Sequence, residues 1–289
     1  MEITQQRATV RDLDFAYLTC GEGPLALLWH GFPDTPNGWR PLMTALAEAG
    51  YRAVAPWARG YAPTAVPADG GSPIAAWVDD AIGFHEAFGG DEPAVLIGHD
   101  WGALMAYGAA GYAPERWRKL VVASVPPPAV IAAKLTQYDQ VKSFWYQYVF
   151  LQPTAEGIVA ADDLEFIRRL WGDWSPGYDA SDDIGAVIEA LREPAHLTAA
   201  LHTYRSMYDM GLIPPQLIDR AMAVMTPPTQ PTLYLHGASD GCVPGDPTAE
   251  VASVLAPGSS TRLLDGAGHF LQYERPKVVT DLVLDFLAD

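Results

Sequence analysis

The chain has 289 residues, of which 49% are hydrophobic and 18% charged; this composition excludes disorder as a description of the whole and allows a large core. Lysines and arginines number 18 against 35 aspartates and glutamates, and the resulting net charge of −17 argues against nucleic acids and anionic membranes as partners. Two cysteines, no 18-residue apolar run and no signal-peptide pattern predict a cytoplasmic protein.

Short apolar runs alternate with helical patterns through residues 1–128. A helix is predicted to begin at the capping Ser72 followed by Pro73 and to end at Gly89-Gly90. Buried strands are predicted at Leu25–Trp29, Arg52–Ala55, Ala94–Ile97 and Leu120–Ala123. Continuous apolar strands separated by amphipathic helices indicate an α/β protein with a mostly parallel sheet that is covered on both faces.

The alternation stops at three consecutive prolines, 126–128. Residues 129–225 have helical patterns rich in aromatics and no convincing strand, whereas a strand at Thr232–Leu235 and an amphipathic last helix follow. We therefore predict a core of residues 1–128 and 226–289, with residues 129–225 inserted as a helical lid after the sixth strand.

A tight turn follows the strand that ends at Ile97. The sequence Gly98-His99-Asp100-Trp101-Gly102 leads into an apolar helix, and small residues on both sides of its centre permit a strained backbone. This pattern is typical of the nucleophile elbow, which holds its central side chain above the edge of a sheet. The central residue is Asp100, where an esterase has serine. A glycine-rich turn with a capping aspartate is the alternative interpretation.

An oxyanion hole is predicted at the end of an early strand. In folds with this elbow, one backbone N–H comes from the residue after a His-Gly pair and another from the residue after the nucleophile. These residues are Phe32, after His30-Gly31, and Trp101.

An acid and a histidine follow in the order that this fold requires. Asp240 comes just after the late strand, and His269 lies in a glycine-rich loop before the last helix. The chain order nucleophile, acid, histidine is that of the α/β-hydrolase fold, which we predict for this chain. Asp246 and Asp265 compete with Asp240 for the role of the acid.

Two segments of the helical region resemble the lid of α/β-hydrolase-fold epoxide hydrolases, and the likeness extends from about residue 14 to residue 287. In 143–153 a tyrosine lies seven residues before a proline, as in that family, which places the first lid tyrosine at Tyr146 with Tyr148 as the alternative. In 201–207 a tyrosine followed by arginine resembles the second lid motif and places the other at Tyr204.

The resemblance implies hydrolysis of a small apolar epoxide to a vicinal diol. An aspartate that attacks an alkyl carbon leaves an ester that water can cleave, so Asp100 is expected as nucleophile, with His269 and Asp240 activating water. Tyr146 and Tyr204 would protonate the epoxide oxygen. The substrate is expected to contact Phe32, Trp101 and Trp39. No cofactor and no metal are expected, and the sequence leaves the oligomeric state open.

Two other functions stay open at this stage. A haloalkane dehalogenase forms the same aspartyl ester but must bind a departing halide, for which Trp101 is a candidate donor. A non-catalytic ligand-binding member of the fold would keep the pocket and lose members of the triad, and all three are present in this sequence.

Overall fold

One eight-stranded sheet organises the protein, whose computed structural model describes residues 1–288. The strands are β1 (Thr4–Val10), β2 (Leu13–Cys20), β3 (Leu25–Trp29), β4 (Arg52–Pro56), β5 (Ala94–His99), β6 (Trp117–Ala123), β7 (Thr232–Gly237) and β8 (Ser260–Leu264). Their order in the sheet is β1-β2-β4-β3-β5-β6-β7-β8, and only the pairs β1–β2 and β2–β4 are antiparallel. The predicted mostly parallel sheet is thus confirmed.

Helices fill the connections between the strands. Before β6 lie α1 (Arg40–Glu48), α2 (Ile74–Phe88) and α3 (Trp101–Tyr112). Between β6 and β7 lie α4 (Pro128–Lys134), α5 (Tyr138–Ser143), α6 (Trp145–Phe150), α7 (Ala155–Trp174), α8 (Ile184–Leu191), α9 (Pro194–Tyr208) and α10 (Ile218–Ala223). After β7 come α11 (Thr248–Val254), α12 (Leu271–Glu274) and α13 (Pro276–Ala288). None of the described helices is long and apolar enough to cross a membrane.

We call residues 128–223, from α4 to α10, the helical segment. Its longest helix, α7, is interrupted at residues 161–164, where Asp162, Asp163 and Leu164 have left-handed backbone angles. Residues 129–225 contain no strand, as the sequence predicts.

The centre of the sheet is buried on both faces. Every residue of β3 and β5 is buried, and because neighbouring side chains of a strand point to opposite faces, helices must cover both sides. The parallel strands β3, β5, β6 and β7 end at the same edge of the sheet. In open α/β sheets this edge is where ligands bind. Phe32, Asp100 and Asp240 follow the ends of β3, β5 and β7, and His269 follows β8, which is parallel to β7.

The predictions from sequence patterns place one helix cap at the wrong residue and omit three strands. Pro73, not Ser72, is the N-cap of α2, and the Ser72 hydroxyl instead accepts a hydrogen bond from the indole of Trp77 at 2.9 Å. The helix ends before Gly89, as predicted. The edge strands β1 and β8 were not predicted because neither is a continuous buried apolar run, and in β2 the polar Asp14 and Thr19 interrupt the apolar residues.

Candidate active site

Asp100 occupies a strained turn between β5 and α3. Its φ of 54° and ψ of −117° lie in a region that side chains other than glycine rarely adopt. The flanking glycines make this turn possible, since a Cβ on Gly98 would collide with the backbone of Gly102, and one on Gly102 with the backbone of Trp29. The turn therefore projects the Asp100 carboxylate beyond the edge of the sheet, as the elbow pattern predicts.

The loop after β3 supplies a backbone donor to this carboxylate. The N–H of Phe32 donates to Asp100 Oδ1 at 2.7 Å, and Gly31 leaves room for the approach because a Cβ there would overlap the Asp100 side chain. Trp101 is the first residue of α3, where a backbone N–H has no carbonyl partner within the helix. Both predicted oxyanion-hole residues thus adjoin Asp100.

His269 connects Asp100 to Asp240. Its Nε2 lies 3.5 Å from Asp100 Oδ2, and its Nδ1 lies 2.9 Å from Asp240 Oδ2. The other Asp240 oxygen, Oδ1, accepts the backbone N–H groups of Cys242 and Val243 at 2.8 and 2.9 Å. These bonds use both oxygens of Asp240 and fix the direction in which it faces the imidazole. The competing acids Asp246 and Asp265 are exposed.

Two carboxylates determine the charge of His269. Burial disfavours the imidazolium, but the negative charges of Asp240 and Asp100 outweigh burial and raise the pKa of His269 to about 10. Burial opposes ionisation of Asp240 as well, yet the adjacent His269 lowers the pKa of Asp240 below its ordinary value. The site therefore holds an imidazolium between two carboxylates at neutral pH.

A second layer of buried polar groups holds the backbone of His269. The Ser124 hydroxyl and His99 Nε2 contact the carbonyl oxygen of His269 at 2.6 and 2.9 Å. Burial lowers the pKa of His99 to about 3, so its ring is neutral and Nε2 carries the donated proton. His99 is therefore a structural residue.

The helical segment contributes two buried tyrosines. Tyr146 of α6 and Tyr204 of α9 are almost fully buried, and their ring centroids are 5.7 Å apart. Burial raises the pKa of both phenols well above the ordinary value, and the negative charge of Asp100 adds to the effect. Both hydroxyls therefore keep their protons at neutral pH. Tyr148, the alternative to Tyr146, is half exposed.

Asp100 and the two tyrosines line one cavity of about 220 Å³, whereas His269 and Asp240 are not among its lining residues. The core contributes Asp100, Trp101, Leu104, Val125, Cys242 and Val243. The helical segment contributes Ile131, Leu135, Phe144, Tyr146, Gln147, Tyr204, Met207 and Tyr208. This lining contains no lysine or arginine. Four larger depressions, the largest two at the β1–β2 edge and beside Arg59, contain none of the predicted site residues.

Two predicted substrate contacts lie outside this lining. The Phe32 ring packs edge-on against Tyr204 at 5.1 Å, so it supports a wall of the cavity. Trp39 is buried in the hydrophobic core and is not among the residues that line the cavity. An aromatic residue near a strand end is therefore a weak guide to a binding site.

Sequence patterns missed three polar groups of the cavity. Gln147 donates to the hydroxyl of Tyr146 at 3.2 Å, Tyr208 donates to Gln147 at 2.7 Å, and Cys242 Sγ lies 3.6 Å from the same hydroxyl. The one available signal was that Gln147 directly follows the lid tyrosine. Among residues 1–288, no group of three or more His, Cys, Asp or Glu side chains is arranged to hold a metal ion.

Comparisons with known proteins agree with this architecture. Residues 24–276 match the model of the α/β hydrolase fold family. Epoxide hydrolase A of Mycobacterium tuberculosis is 30% identical over 92% of this chain and 90% of its own length, and AB hydrolase superfamily protein YfhM of Bacillus subtilis is 30% identical over 93% and 91%.

A solved structure extends the likeness to three dimensions. The crystal structure of epoxide hydrolase A from Mycobacterium thermoresistibile superposes with a TM-score of 0.79 at 27% identity, over 99% of this chain and 98% of that one. The predicted resemblance to epoxide hydrolases is thus confirmed, and the chain belongs to the α/β-hydrolase fold family.

Proposed function

We propose that this protein hydrolyses epoxides to vicinal diols through a covalent ester on Asp100. The main support for the proposal is that one cavity is lined by a carboxylate from the core and by two buried, protonated phenols from the helical segment. A carboxylate can attack a ring carbon, and a phenol can protonate the oxygen that leaves it. The names of the relatives, epoxide hydrolases among them, support the same reaction.

In the first step Asp100 attacks one epoxide carbon. A bond forms between that carbon and a carboxylate oxygen, the carbon–oxygen bond of the ring breaks, and Tyr146 or Tyr204 gives a proton to the alkoxide. The N–H of Phe32, already bonded to Asp100 Oδ1, keeps the carboxylate oriented for the attack.

In the second step water attacks the carbonyl carbon of the ester, with His269 as general base. The resting imidazolium cannot accept a proton, but its pKa is raised partly by Asp100, whose charge disappears when the ester forms. The pKa of His269 then falls, and the proton it loses replaces the one that the phenol gave up. His269 next takes a proton from water, and the resulting hydroxide adds to the carbonyl carbon. The bond from that carbon to the diol oxygen then breaks, and the departing oxygen takes the remaining proton of the water, so that Asp100 returns as a carboxylate and His269 as an imidazolium.

The cavity favours a small, neutral and apolar epoxide. A volume of about 220 Å³ suits a compact molecule, and the walls are mostly aliphatic and aromatic. Because the lining has no lysine or arginine, a substrate carboxylate would be buried near Asp100 without a counter-ion, which is costly.

The helical segment is proposed as the lid of the site, over a core of residues 1–128 and 226–289. It supports this role by contributing Tyr146 and Tyr204 and more than half of the residues around the cavity. A lid excludes water from the first step, in which a stray water would compete with Asp100.

Haloalkane dehalogenation is the second candidate, on one observation. The indole nitrogen of Trp101 and the hydroxyl of Tyr204 are both buried without a hydrogen-bond partner, and both residues line the cavity. Two such donors suit a halide. We rank this function second because a halide leaves without a proton, so it has no use for two phenols that stay protonated.

The test is incubation with styrene oxide, 1-bromobutane and 4-nitrophenyl acetate, followed by chromatography. We expect phenylethanediol from styrene oxide, and no turnover in the Asp100→Asn variant. Bromide release without diol would favour the dehalogenase, and nitrophenol release alone would point to an esterase. No conversion of any substrate by the folded protein would favour a ligand-binding function.

A further inference from the structure

The two lid tyrosines differ in their surroundings. A chain of hydrogen bonds leads to Tyr146: the Tyr208 hydroxyl donates to Gln147 Oε1 at 2.7 Å, and Gln147 Nε2 donates to Tyr146 Oη at 3.2 Å. The hydroxyl of Tyr204 makes no hydrogen bond of normal geometry among the described residues, although the indole N–H of Trp101 is directed toward it and partly offsets the rise that burial causes in its pKa. Aromatic rings surround it instead, with the rings of Trp101 and Phe150 at 4.9 and 5.0 Å.

This chain of hydrogen bonds fixes the direction in which the O–H of Tyr146 points. A phenol rotates its O–H in the ring plane, so an oxygen that accepts an N–H on one side directs its own proton to the other. The other polar atom of the described residues within hydrogen-bonding reach of this oxygen is Cys242 Sγ, at 3.6 Å in the wall of the cavity. Burial raises the pKa of Cys242 well above its ordinary value, so this group is a neutral thiol, which is a weak acceptor. The proton of Tyr146 therefore remains available to an epoxide oxygen.

The same hydrogen bonds stabilise the phenolate that forms when Tyr146 has given up its proton. Gln147 Nε2 already faces the phenol oxygen, and a hydrogen bond to a charged oxygen is stronger than one to a neutral oxygen. In this arrangement the Tyr208 hydroxyl donates to the amide oxygen, and the amide nitrogen is left to face Tyr146. The donor at Tyr204 is the indole N–H of Trp101, which partly offsets the rise that burial causes in the pKa of that phenol but makes no hydrogen bond of normal geometry.

We propose that Gln147, oriented by Tyr208, is a positioning residue that makes Tyr146 the phenol that transfers its proton, while Tyr204 contributes a hydrogen bond. This inference rests on the proposed epoxide hydrolysis and assigns unequal roles to the two tyrosines. It predicts that Gln147 acts on ring opening only through Tyr146.

The experiment measures formation of the Asp100 ester by rapid quench and intact-protein mass spectrometry. His269→Gln serves as the parent protein, because it accumulates the ester, and styrene oxide is the substrate. Gln147→Met removes the amide donor at nearly constant volume, and Tyr208→Phe removes a single hydroxyl from a side chain that is about as exposed as Tyr148. Tyr148→Phe, which removes an exposed phenol from the same helix as Tyr146, is the matched control.

We expect Gln147→Met to slow ester formation about 10- to 100-fold, the range for loss of a hydrogen bond to a charged group. The epoxide concentration at half-maximal rate should change little. Tyr208→Phe should slow the step about 3-fold, through loosening of the amide. Tyr148→Phe should leave the rate unchanged.

A double-mutant cycle separates this role from simple packing. In a Tyr146→Phe background Gln147→Met should have no further effect, whereas in a Tyr204→Phe background it should keep its full effect. Equal losses in both backgrounds, or unchanged rates for both Gln147→Met and Tyr208→Phe, would overturn the inference while leaving epoxide hydrolysis intact. No ester on the parent protein, together with no diol from the wild type, would instead overturn the proposed function and this inference with it.

Discussion

The two sides of the cavity satisfy their polar groups in different ways. On the core side, Asp240 uses both oxygens and His269 bonds to it through Nδ1 without any substrate. On the side of the helical segment, the hydroxyl of Tyr204 has no partner, and aromatic rings surround it. The core side carries charges, whereas the phenols are neutral.

Physical chemistry explains this difference. A buried ion without a partner costs several kcal/mol, so the charged groups must be paired in the resting protein. A buried neutral hydroxyl without a partner costs only about 1–3 kcal/mol, which a substrate oxygen can recover on binding. The charged groups of the core side are therefore paired in advance, whereas the neutral donors of Tyr204 and Trp101 are left for the substrate. Substitutions on the core side should stop a chemical step, whereas those in the helical segment should slow one.

Asp100→Asn should have the largest effect, because an amide cannot form the ester. Turnover of styrene oxide should fall by at least about 10⁴-fold, as for loss of other nucleophiles, with little change in thermal stability. Steady-state assays of freshly purified protein, with intact mass to exclude deamidation, provide the measurement. Activity within 10-fold of wild type would contradict the assignment of Asp100.

His269→Gln should stop the second step alone. Steady-state turnover should fall about 10³-fold or more, whereas the ester should form and persist, since the imidazole acts on water. Intact-protein mass spectrometry should show one adduct of the mass of the epoxide. Loss of epoxide consumption without an adduct, in a protein with unchanged circular dichroism, would contradict this division of labour.

The double variant Tyr146→Phe/Tyr204→Phe should slow ester formation about 10²- to 10⁴-fold, the range for general-acid catalysis. Each single variant should lose less because the other phenol remains. Rapid-quench measurements with an epoxide and a bromoalkane sharpen the comparison, since a halide needs no proton. Unchanged alkylation by the epoxide in the double variant would refute the role of both phenols.

The pH dependence should reveal how Asp100 affects His269. In the resting protein the pKa of His269 is raised to about 10, so its imidazolium should persist until the pH rises to that range. In the ester the charge of Asp100 is absent, so the pKa is lower, and hydrolysis should accelerate with pH around a lower midpoint. Histidine NMR measures the pKa of His269 in the resting protein, and rapid-quench rates of ester hydrolysis at several pH values give the midpoint in the ester. A common midpoint would contradict a contribution from Asp100.

The smallest effect is expected for an ion pair that supports the helical segment. Arg205, next to Tyr204, bonds to both oxygens of Glu156 at 2.6 and 2.9 Å and to the carbonyl oxygen of Phe150 at 2.9 Å, which joins α9, α7 and α6. Glu156→Gln should lower the free energy of unfolding by about 1 kcal/mol, as for a part-exposed pair. Ester formation should slow only a few-fold, and Glu165→Gln, at an exposed pair of α7, is the control in urea denaturation. Equal destabilisation by both variants would argue against a special role for the Arg205 pair.

The core side could be predicted from the sequence far better than the helical side. The turn around Asp100 requires small residues at fixed spacing, and Asp240 and His269 follow strand ends in an order that the fold dictates, so local patterns carry the information. The structure brings these three side chains into contact. In the helical segment, Tyr146 and Tyr148 are two residues apart on one helix and point to different sides, so only tertiary packing decides between them.

Local sequence patterns could not predict which residues contact the two phenols. Gln147 and Tyr208 are 61 residues apart, and they meet only because α6 packs against α9. Cys242 reaches Tyr146 from the loop after β7, on the opposite side of the cavity. Trp39, which was expected to contact the substrate, is buried in the core and is not among the residues that line the cavity.

The most direct test of the covalent mechanism is to trace whether a carboxylate oxygen of Asp100 enters the diol. A single turnover of styrene oxide is run in water enriched in oxygen-18, with enzyme in excess, followed by mass spectrometry of the diol and of the peptide that contains Asp100. The mechanism predicts an unlabelled diol and one oxygen-18 in Asp100, because the ester oxygen comes from the protein and water attacks the carbonyl carbon. A labelled diol and an unlabelled Asp100 in that first turnover would show that water attacks the epoxide directly and would contradict the account.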